Sequence, residues 1–290
     1  MTRWFVTGAR GQLGTDLQRL LADDPSAEVR AFGRGDLDVS DSAAVHAAIA
    51  AWAPDVVVNA AAYTAVDQAE SDEDAAYAAN AVGPANLAVA AARQGARLIH
   101  VSTDYVFRGD ADHPYEVDEP TSPRSAYGRT KLAGEQAVRE LYPDGSYVVR
   151  TAWVYGLTGK NFVRTMVRLA DEGVDPSVVD DQRGSPTWSL DLARGLVELA
   201  ASPAAPGIYH ATGGGDTTWY GLAREVFRRA GAAPQRVRPT TSDQYPSPVR
   251  RPPYSVLSGR AWAAAGLTPL PEWRTALTAA FATSPLAFRD

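Results

Sequence analysis

The chain has no cysteine, which excludes disulfides, thiolate nucleophiles and cysteine-bound zinc. Histidine is scarce: His46, His100, His113 and His210 are the four in 290 residues, and none stands at metal-ligand spacing from another. No apolar run approaches the roughly 18 residues of a membrane span. No charged-then-apolar leader precedes the first apolar segment. The expectation is a cytoplasmic protein with no membrane partner. A basic block is also missing. The formal charge is −6 with both signs interspersed, so no nucleic-acid partner is expected, and any anionic ligand has to be met by local cations in a pocket. What the chain has in quantity is apolar residues, 45% of the total. That is ample for one large α/β domain with an appended lobe.

In the first half, short apolar runs alternate with longer Ala-rich amphipathic stretches, the pattern of repeated βα units. The expected strands are Trp4–Thr7, Val29–Phe32, Val56–Asn59, Leu98–Ser102 and Tyr147–Thr151, and the expected helices are Gln12–Ala22, Ala43–Trp52, Asp72–Gln94 and Ala126–Leu141. Strands that are apolar nearly throughout belong in a parallel sheet covered on both faces, where ligands collect at the carboxyl ends. The pattern loosens after Trp153. A helix near Asn161–Glu172, a helix ending near Ala200, a late strand at Ile208–Ala211 and a helix at Trp219–Ala230 are expected there, with a Pro-rich connector from Tyr245 to Tyr254. The fold class predicted is α/β: a Rossmann-like doubly wound parallel sheet with a smaller C-terminal α/β substrate-binding lobe. Residues 1–152 form the cofactor domain with a return segment near 176–200, and 153–175 with 201–290 form the lobe.

Three elements carry chemistry. The first is Thr7-Gly8-Ala9-Arg10-Gly11-Gln12-Leu13-Gly14, directly after the first strand. A strand that turns on glycines into a helix offers backbone N–H groups and a positive helix end to a pyrophosphate, although an ordinary turn also uses glycine. Its G-x-x-G-x-x-G spacing lacks the Lys-Ser/Thr of a P-loop, which excludes a kinase or ATPase of that type. The second is the pair Tyr127 and Lys131, four apart at the start of a helix and so on one face. A phenol with a free pKa of roughly 10 becomes a better proton relay when a cation and a helix N-terminus favour the phenolate. An exposed helix gives the same spacing by chance. The third is Ser102-Thr103-Asp104-Tyr105 at a strand end, where a hydroxyl can polarise a carbonyl that also faces the phenol, or simply cap a turn.

In this order and spacing the three elements resemble the extended short-chain dehydrogenase/reductase superfamily. Asn59-Ala60-Ala61-Ala62-Tyr63-Thr64-Ala65-Val66-Asp67, Ser102 to Phe107, Arg150-Thr151-Ala152-Trp153-Val154-Tyr155-Gly156, Asn161-Phe162, Asp181 to Thr187 and Arg251 to Leu257 are similar to the dTDP-4-dehydrorhamnose reductase family across nearly the whole chain. The resemblance implies transfer of hydride from NAD(P)H to the C4 carbonyl of dTDP-4-dehydro-6-deoxy-L-mannose, giving dTDP-L-rhamnose. By the same resemblance Tyr127 donates the proton, Lys131 holds the nicotinamide ribose and lowers the phenol's pKa, and Thr103 orients the carbonyl. Cofactor contacts carry over to Gly8, Gly11, Gln12, Leu13, Gly14, Asp38, Val39, Ala62, Tyr63, Thr64, Tyr127 and Lys131. Substrate contacts carry over to Thr103, Asp104, Tyr127, Trp153, Asn161 and Arg251, the last against the diphosphate.

Arg34 after the second strand, with Arg10 nearby, favours NADPH over NADH, while Asp36 keeps NADH open. Some family members bind Mg²⁺ through glutamates between subunits. Asp16 and Asp191 occupy the matching positions here, which leaves the metal and the choice of monomer or homodimer open. Three rivals stand beside this reading. A nucleotide-sugar dehydratase would carry Glu where Tyr105 stands. A reductase of another dTDP-4-keto-6-deoxysugar would share the nucleotide anchor. A non-catalytic regulatory subunit, resembling the β subunit of methionine adenosyltransferase, would not need Thr103, Tyr127 and Lys131 intact.

Overall fold

The apolar segments of the first half form parallel strands joined by helices. In chain order these are β1 (Thr2–Thr7), α1 (Gln12–Ala22), β2 (Ala27–Phe32), α2 (Ser42–Trp52), β3 (Val56–Asn59), the helical pieces α3 (Val66–Ala69), α4 (Glu73–Tyr77) and α5 (Gly83–Gln94), β4 (Arg97–Thr103), α6 (Ala126–Leu141) and β5 (Ser146–Thr151). The structure is a computed structural model and describes every residue except Pro246, Ser284, Pro285, Ala287 and Asp290. Pro246 lies within the expected Pro-rich connector.

Strand side chains alternate between the two faces of the sheet, and each face has its own core. Trp4, Val6, Val56, Val58, Ile99, Tyr147 and Val149 pack on one side with Leu13, Leu17 and Leu21 of α1. Phe5, Val57, Leu98 and Val148 pack on the other with Val45, Ile49, Leu87 and Val138 from α2, α5 and α6. This two-sided burial explains why the strands read as continuous apolar runs.

The second half continues with β6 (Val154–Tyr155), α7 (Phe162–Asp171), β7 (Ser177–Val179), β8 (Arg183–Gly184), β9 (Thr187–Trp188), α8 (Ser189–Ala201), β10 (Gly207–His210), β11 (Thr217–Thr218), α9 (Trp219–Arg229), β12 (Arg238–Thr240), α10 (Arg260–Ala264) and α11 (Trp273–Ala282). The main sheet has six strands in the order β10-β5-β4-β3-β1-β2, all pairs parallel. The chain reverses its direction of progress across the sheet at β1 and β3, and there the carboxyl ends open a crevice. Leu192, Leu196 and Leu199 of α8 join the α1 face of the sheet, as the return segment requires. A separate core gathers Tyr155, Val163, Val167, Trp188, Leu222, Phe227, Trp273 and Leu277 from the remaining elements.

Two details differ from the sequence reading. The strand at Gly207–His210 pairs with β5 in the main sheet, although the expected boundaries put residues 201–290 in the smaller lobe. Four residues carry too little periodicity to say which sheet they join. The expected helix Asp72–Gln94 runs without a gap from Glu73 to Gln94 but widens to π-helical at Ala78–Val82, between α4 and α5. Pro84 has no N–H to give the helix, and its ring crowds the carbonyl four residues back. That carbonyl belongs to Asn80, and Gly134 of α6 passes so near that a Cβ there would lie 2.0 Å from its oxygen.

Candidate active site

The glycine turn closes the crevice at β1. Gly8 has φ +73°, and a Cβ on it would lie 2.4 Å from the Ala60 carbonyl oxygen, while one on Gly14 would lie 2.2 Å from the Gly8 oxygen. Gly11 N–H donates to the Gly8 carbonyl at 2.9 Å, and Gly11 caps α1 with no side chain on the first-turn amides. Those amides face the crevice end of the sheet, which suits an anionic pyrophosphate. Leu13 is buried in the α1 core. Gln12 accepts a hydrogen bond from Asn161 Nδ2 at 3.0 Å, so an expected cofactor residue and an expected substrate residue meet directly.

At the end of β2, Arg10 Nη2 lies 3.2 Å from Asp36, and the same carboxylate accepts from Gly33 N–H at 2.9 Å. Asp36 is thereby held against its own loop. Arg34 is exposed; the Ser40 hydroxyl and amide hold Asp38 below the usual carboxylate range with a smaller contribution from Arg34, and desolvation and Asp72 raise the Tyr63 phenol, with Arg34 acting weakly against them. Asp38 accepts from the Ser40 hydroxyl and amide, and Val39 is buried with its carbonyl taken by Asn86. Asn59 at the end of β3 accepts from the Thr7 hydroxyl at 2.7 Å and from Ala61 N–H at 3.1 Å, which fixes the chain entering Ala62, Tyr63 and Thr64.

Asn80, which the sequence reading did not single out, secures that segment from the other side. Its Oδ1 accepts from Tyr63 N–H at 2.8 Å, and its Nδ2 donates to the Tyr63 carbonyl at 3.2 Å and to Thr130 of α6 at 3.1 Å. The only hint in the sequence is an asparagine inside an Ala-rich run ahead of Gly83-Pro84.

The catalytic candidates converge at the ends of β4 and α6. The Thr103 hydroxyl lies near enough to the Tyr127 phenol to draw its pKa downward. The Thr103 hydroxyl donates to Asp104 Oδ1 at 2.9 Å and accepts from Tyr105 N–H at 3.2 Å. Ser125 caps α6 by accepting from Gly128 N–H, which starts the helix where Tyr127 can reach Thr103. Lys131 is 2% exposed, and its Nζ donates to the Val101 carbonyl at 2.6 Å.

Burial pushes Asp104 up to about 6, against the Ser255 and Thr103 hydroxyls that lower it. Burial also pushes the Lys131 ammonium down to about 8, opposed by Glu135. The Tyr127 phenol is raised, not lowered as expected. Burial is the largest cause, the Asp104 and Tyr105 charges add to it, and only the Thr103 hydroxyl works downward. Desolvation outweighs a cation whose Nζ is bonded to the strand carbonyl.

On the lobe side, Trp153 takes φ +48° and stacks on Trp219 at 3.6 Å with planes 7° apart. Gly184 makes room for it, since a Cβ there would lie 2.4 Å from the indole. Trp219 was absent from the expected site. Asn161 caps α7 through its Oδ1. Arg251 pairs with Asp67 at 3.1 Å, and burial pushes the nearby Tyr105 phenol up to about 12 against the opposing Arg251 charge. Arg251, Arg250, Arg124 and Arg108 line one cleft with Tyr105 and Ser125.

Asp16 and Asp191 sit apart from these groups, on α1 and α8. Asp16 accepts from Ser189 and faces Arg19 at 3.8 Å, and Asp191 faces Arg194 at 3.0 Å. Among the described residues no three His, Cys, Asp or Glu side chains form a cluster able to hold a metal ion, so the Mg²⁺ expectation gains no support.

A six-stranded parallel sheet, a glycine turn at its switch point and a Tyr-x-x-x-Lys helix beside a strand-end threonine define a protein of the extended short-chain dehydrogenase/reductase class. Within it, the chain belongs to the family described as the RmlD substrate binding domain, whose model matches residues 2–285. It is 54% identical over 283 residues to a dTDP-4-dehydrorhamnose reductase of Streptomyces griseus, covering 96% of this chain and 93% of the relative. It is 52% identical over 285 residues to a probable dTDP-4,6-dihydroxy-2-methyloxan-3-one 4-ketoreductase of Streptomyces antibioticus, covering 96% and 94%. The crystal structure of Bacillus anthracis dTDP-4-dehydrorhamnose reductase in complex with NADP superimposes with a TM-score of 0.94 at 37% identity, covering 98% of this chain and 99% of that one. Among the described residues no helix is long and apolar enough to cross a membrane.

Proposed function

We propose that this protein is an NAD(P)H-dependent oxidoreductase that reduces the C4 keto group of dTDP-4-dehydro-6-deoxy-L-mannose to give dTDP-L-rhamnose. The observation that carries the reading is the convergence of Tyr127 with the hydrogen-bonded pair Thr103 and Asp104 beside the buried Lys131, at the same sheet edge as a glycine turn whose Gly8 and Gly14 have no room for a Cβ. The names of the relatives and the NADP in the B. anthracis structure support it.

The residues fit a dinucleotide. Gly8, Gly11 and Gly14 let the turn close tightly on itself and on Ala60, leaving the uncapped α1 amides for the pyrophosphate, and Lys131 would hold the ribose hydroxyls. The bound nicotinamide supplies the hydride. The alkoxide that forms at the sugar C4 oxygen takes its proton from Tyr127 Oη, and the Thr103 hydroxyl donates to that oxygen as charge develops by rotating its one proton away from Asp104 Oδ1. A phenol held protonated by burial is the correct starting state for this direction, because the group has to give a proton and not take one. The Asp104 carboxylate fixes the Thr103 hydroxyl, Trp153 offers a flat face to the sugar, and the four arginines of the cleft supply the positive field for the diphosphate.

Arg34 is the cation for a 2′-phosphate, and the engagement of Asp36 by Arg10 and Gly33 removes the carboxylate that would repel one. NADPH is therefore the preferred coenzyme. Residues 1–152 with the α8 return form the cofactor half, joined by β10, and the remainder closes on it as the substrate lobe. The S. antibioticus relative is nearly as similar as the S. griseus one, so a reductase of another dTDP-4-keto-6-deoxysugar is the second reading. Oxidation of NADPH and NADH is to be followed at 340 nm with the keto-sugar made in situ, and the product stereochemistry assigned by NMR. Formation of dTDP-L-rhamnose supports the first reading and a different C4 epimer the second. NADPH binding without turnover on any dTDP-keto-sugar overturns both.

A further inference from the structure

We propose that Trp219 is a specificity-determining positioning residue of the substrate lobe, which with Gly184 holds the Trp153 indole as a fixed wall for the sugar end of the nucleotide sugar. The inference rests on the reading of Trp153 as the residue that meets the sugar. Trp153 lies two residues beyond Thr151, the β5 register partner of Thr103, so it leaves the sheet next to the strand end that carries Thr103. Its backbone takes φ +48°, a left-handed conformation that a bulky residue keeps only where its surroundings hold it.

Two short segments supply that hold. Trp219 stacks on the indole with ring centroids 3.6 Å apart and planes 7° from parallel. Gly184 packs against the indole, where a Cβ would lie 2.4 Å from Cε2 and 2.5 Å from Nε1. Both residues depend on one β-ladder: Thr217 and Thr218 of β11 pair antiparallel with Gly184 and Arg183 of β8, and Trp219 follows Thr218 directly as the first residue of α9. The ladder is itself anchored. Arg183 N–H donates to the Pro253 carbonyl and the Arg183 carbonyl accepts from Ser255 N–H, each at 2.8 Å, while the Arg183 guanidinium pairs with Asp216. The Thr218 hydroxyl donates to Asp180 Oδ1 at 2.5 Å and accepts from Gly221 N–H at 3.0 Å, which sets where α9 begins.

Phe162, the first residue of α7, packs on Trp219 in turn, with centroids 4.6 Å apart and planes 55° from parallel. Three rings from three segments thus form one row, and all three side chains are half-buried, so the row is not sealed inside the lobe. An indole free to turn would have to be ordered when the sugar arrives, at a cost in affinity. Stacking it beforehand removes that cost, the usual gain of a preorganised aromatic contact. The diphosphate is met by other groups, the arginines of the cleft beside Tyr105. Loss of the wall is therefore to be felt at the sugar and not at the nucleotide.

Protein labelled with fluorotryptophan is to be followed by ¹⁹F NMR, with Trp153→Phe assigning the Trp153 signal among the seven tryptophans. The affinities of dTDP and dTDP-L-rhamnose for the NADP complex are to be measured by isothermal titration. In the parent, dTDP-L-rhamnose and not dTDP should move the Trp153 signal. Trp219→Leu should cut the advantage of dTDP-L-rhamnose over dTDP by about three- to tenfold, the worth of one aromatic pair, and leave dTDP affinity unchanged. It should also raise KM for the keto-sugar with kcat and the KM for NADPH little altered. Trp219→Phe restores an aromatic face and should recover most of the advantage. Gly184→Ala crowds the indole from its own side with Trp219 in place, and should lower the same ratio. A parental ratio in folded Trp219→Leu or Gly184→Ala overturns the proposal, as does a parallel loss for dTDP and dTDP-L-rhamnose, the mark of a lobe merely loosened. A Trp153 signal that answers to dTDP-L-rhamnose in a protein that reduces no dTDP-keto-sugar contradicts the reductase reading alone. One that ignores the sugar in a protein that turns over contradicts this proposal alone.

Discussion

At the scale of single residues, chemistry and burial pull in opposite directions. Tyr127 is half-buried beside Thr103, and Tyr127→Phe keeps the ring while removing the proton. Turnover is expected to drop by about 10²- to 10⁴-fold, the usual worth of a positioned proton donor, with NADPH affinity little changed. Stopped-flow reduction and fluorescence titration measure the two quantities separately, and unimpaired turnover would remove Tyr127 from the mechanism. Asp104 gives a pH signature. Its carboxyl is raised to about 6 by burial, so the native state binds the proton more tightly than the unfolded chain does. Stability therefore falls as pH rises from about 4 through about 6. Asp104→Asn should gain about 1–3 kcal/mol at pH 7.5, and the gain should vanish by pH 4. Urea unfolding at the two pH values checks this, and a gain that is the same at both would contradict it. Type and spacing singled out Tyr127, Lys131 and a hydroxyl at Ser102-Thr103, and the family resemblance supplied the role of each. The direction of the Tyr127 shift was not, because desolvation depends on what closes over the phenol.

At the scale of elements, the most constrained piece is the β1–α1 turn. Gly8→Ala adds a Cβ at positive φ and 2.4 Å from the Ala60 oxygen, which is expected to cost about 1–3 kcal/mol and to weaken NADPH binding at least tenfold. Thermal unfolding and isothermal titration give the two numbers, and a variant with parental Tm and affinity would show that the turn has slack. Helix ends at Gln12 and Ala126 were readable because glycine and Ser125 mark them. The widening between α4 and α5 was harder to foresee. Pro84 hinted at it, yet the π turn places Asn80 against Tyr63 and Thr130 only because α6 presses a glycine onto its carbonyl. Local sequence names the weak point of a helix, and the neighbour decides how it yields.

At the scale of the whole molecule, the two halves are joined by specific polar contacts, among them Asn161 to Gln12 and Arg251 to Asp67. Asn161 caps α7 in the lobe and donates to Gln12 at the start of α1, so Asn161→Ala should lose about 1 kcal/mol of cap stability and raise KM for the sugar more than for NADPH. Steady-state kinetics with each substrate varied in turn distinguishes this from a general loss of fold, which would lower kcat without a selective change in KM.

The sequence by itself determined the parallel sheet and the edge at which its glycine turn lies, since period, glycine spacing and residue type are local properties that survive in one dimension. Tertiary structure alone decided that the late strand joins β5, that Trp219 backs Trp153, that Asp36 pairs with Arg10, and that Glu135 pairs with Arg150 in the core. Each of these is a contact between segments far apart in the chain, and its energy comes from burial and pairing that no local pattern encodes.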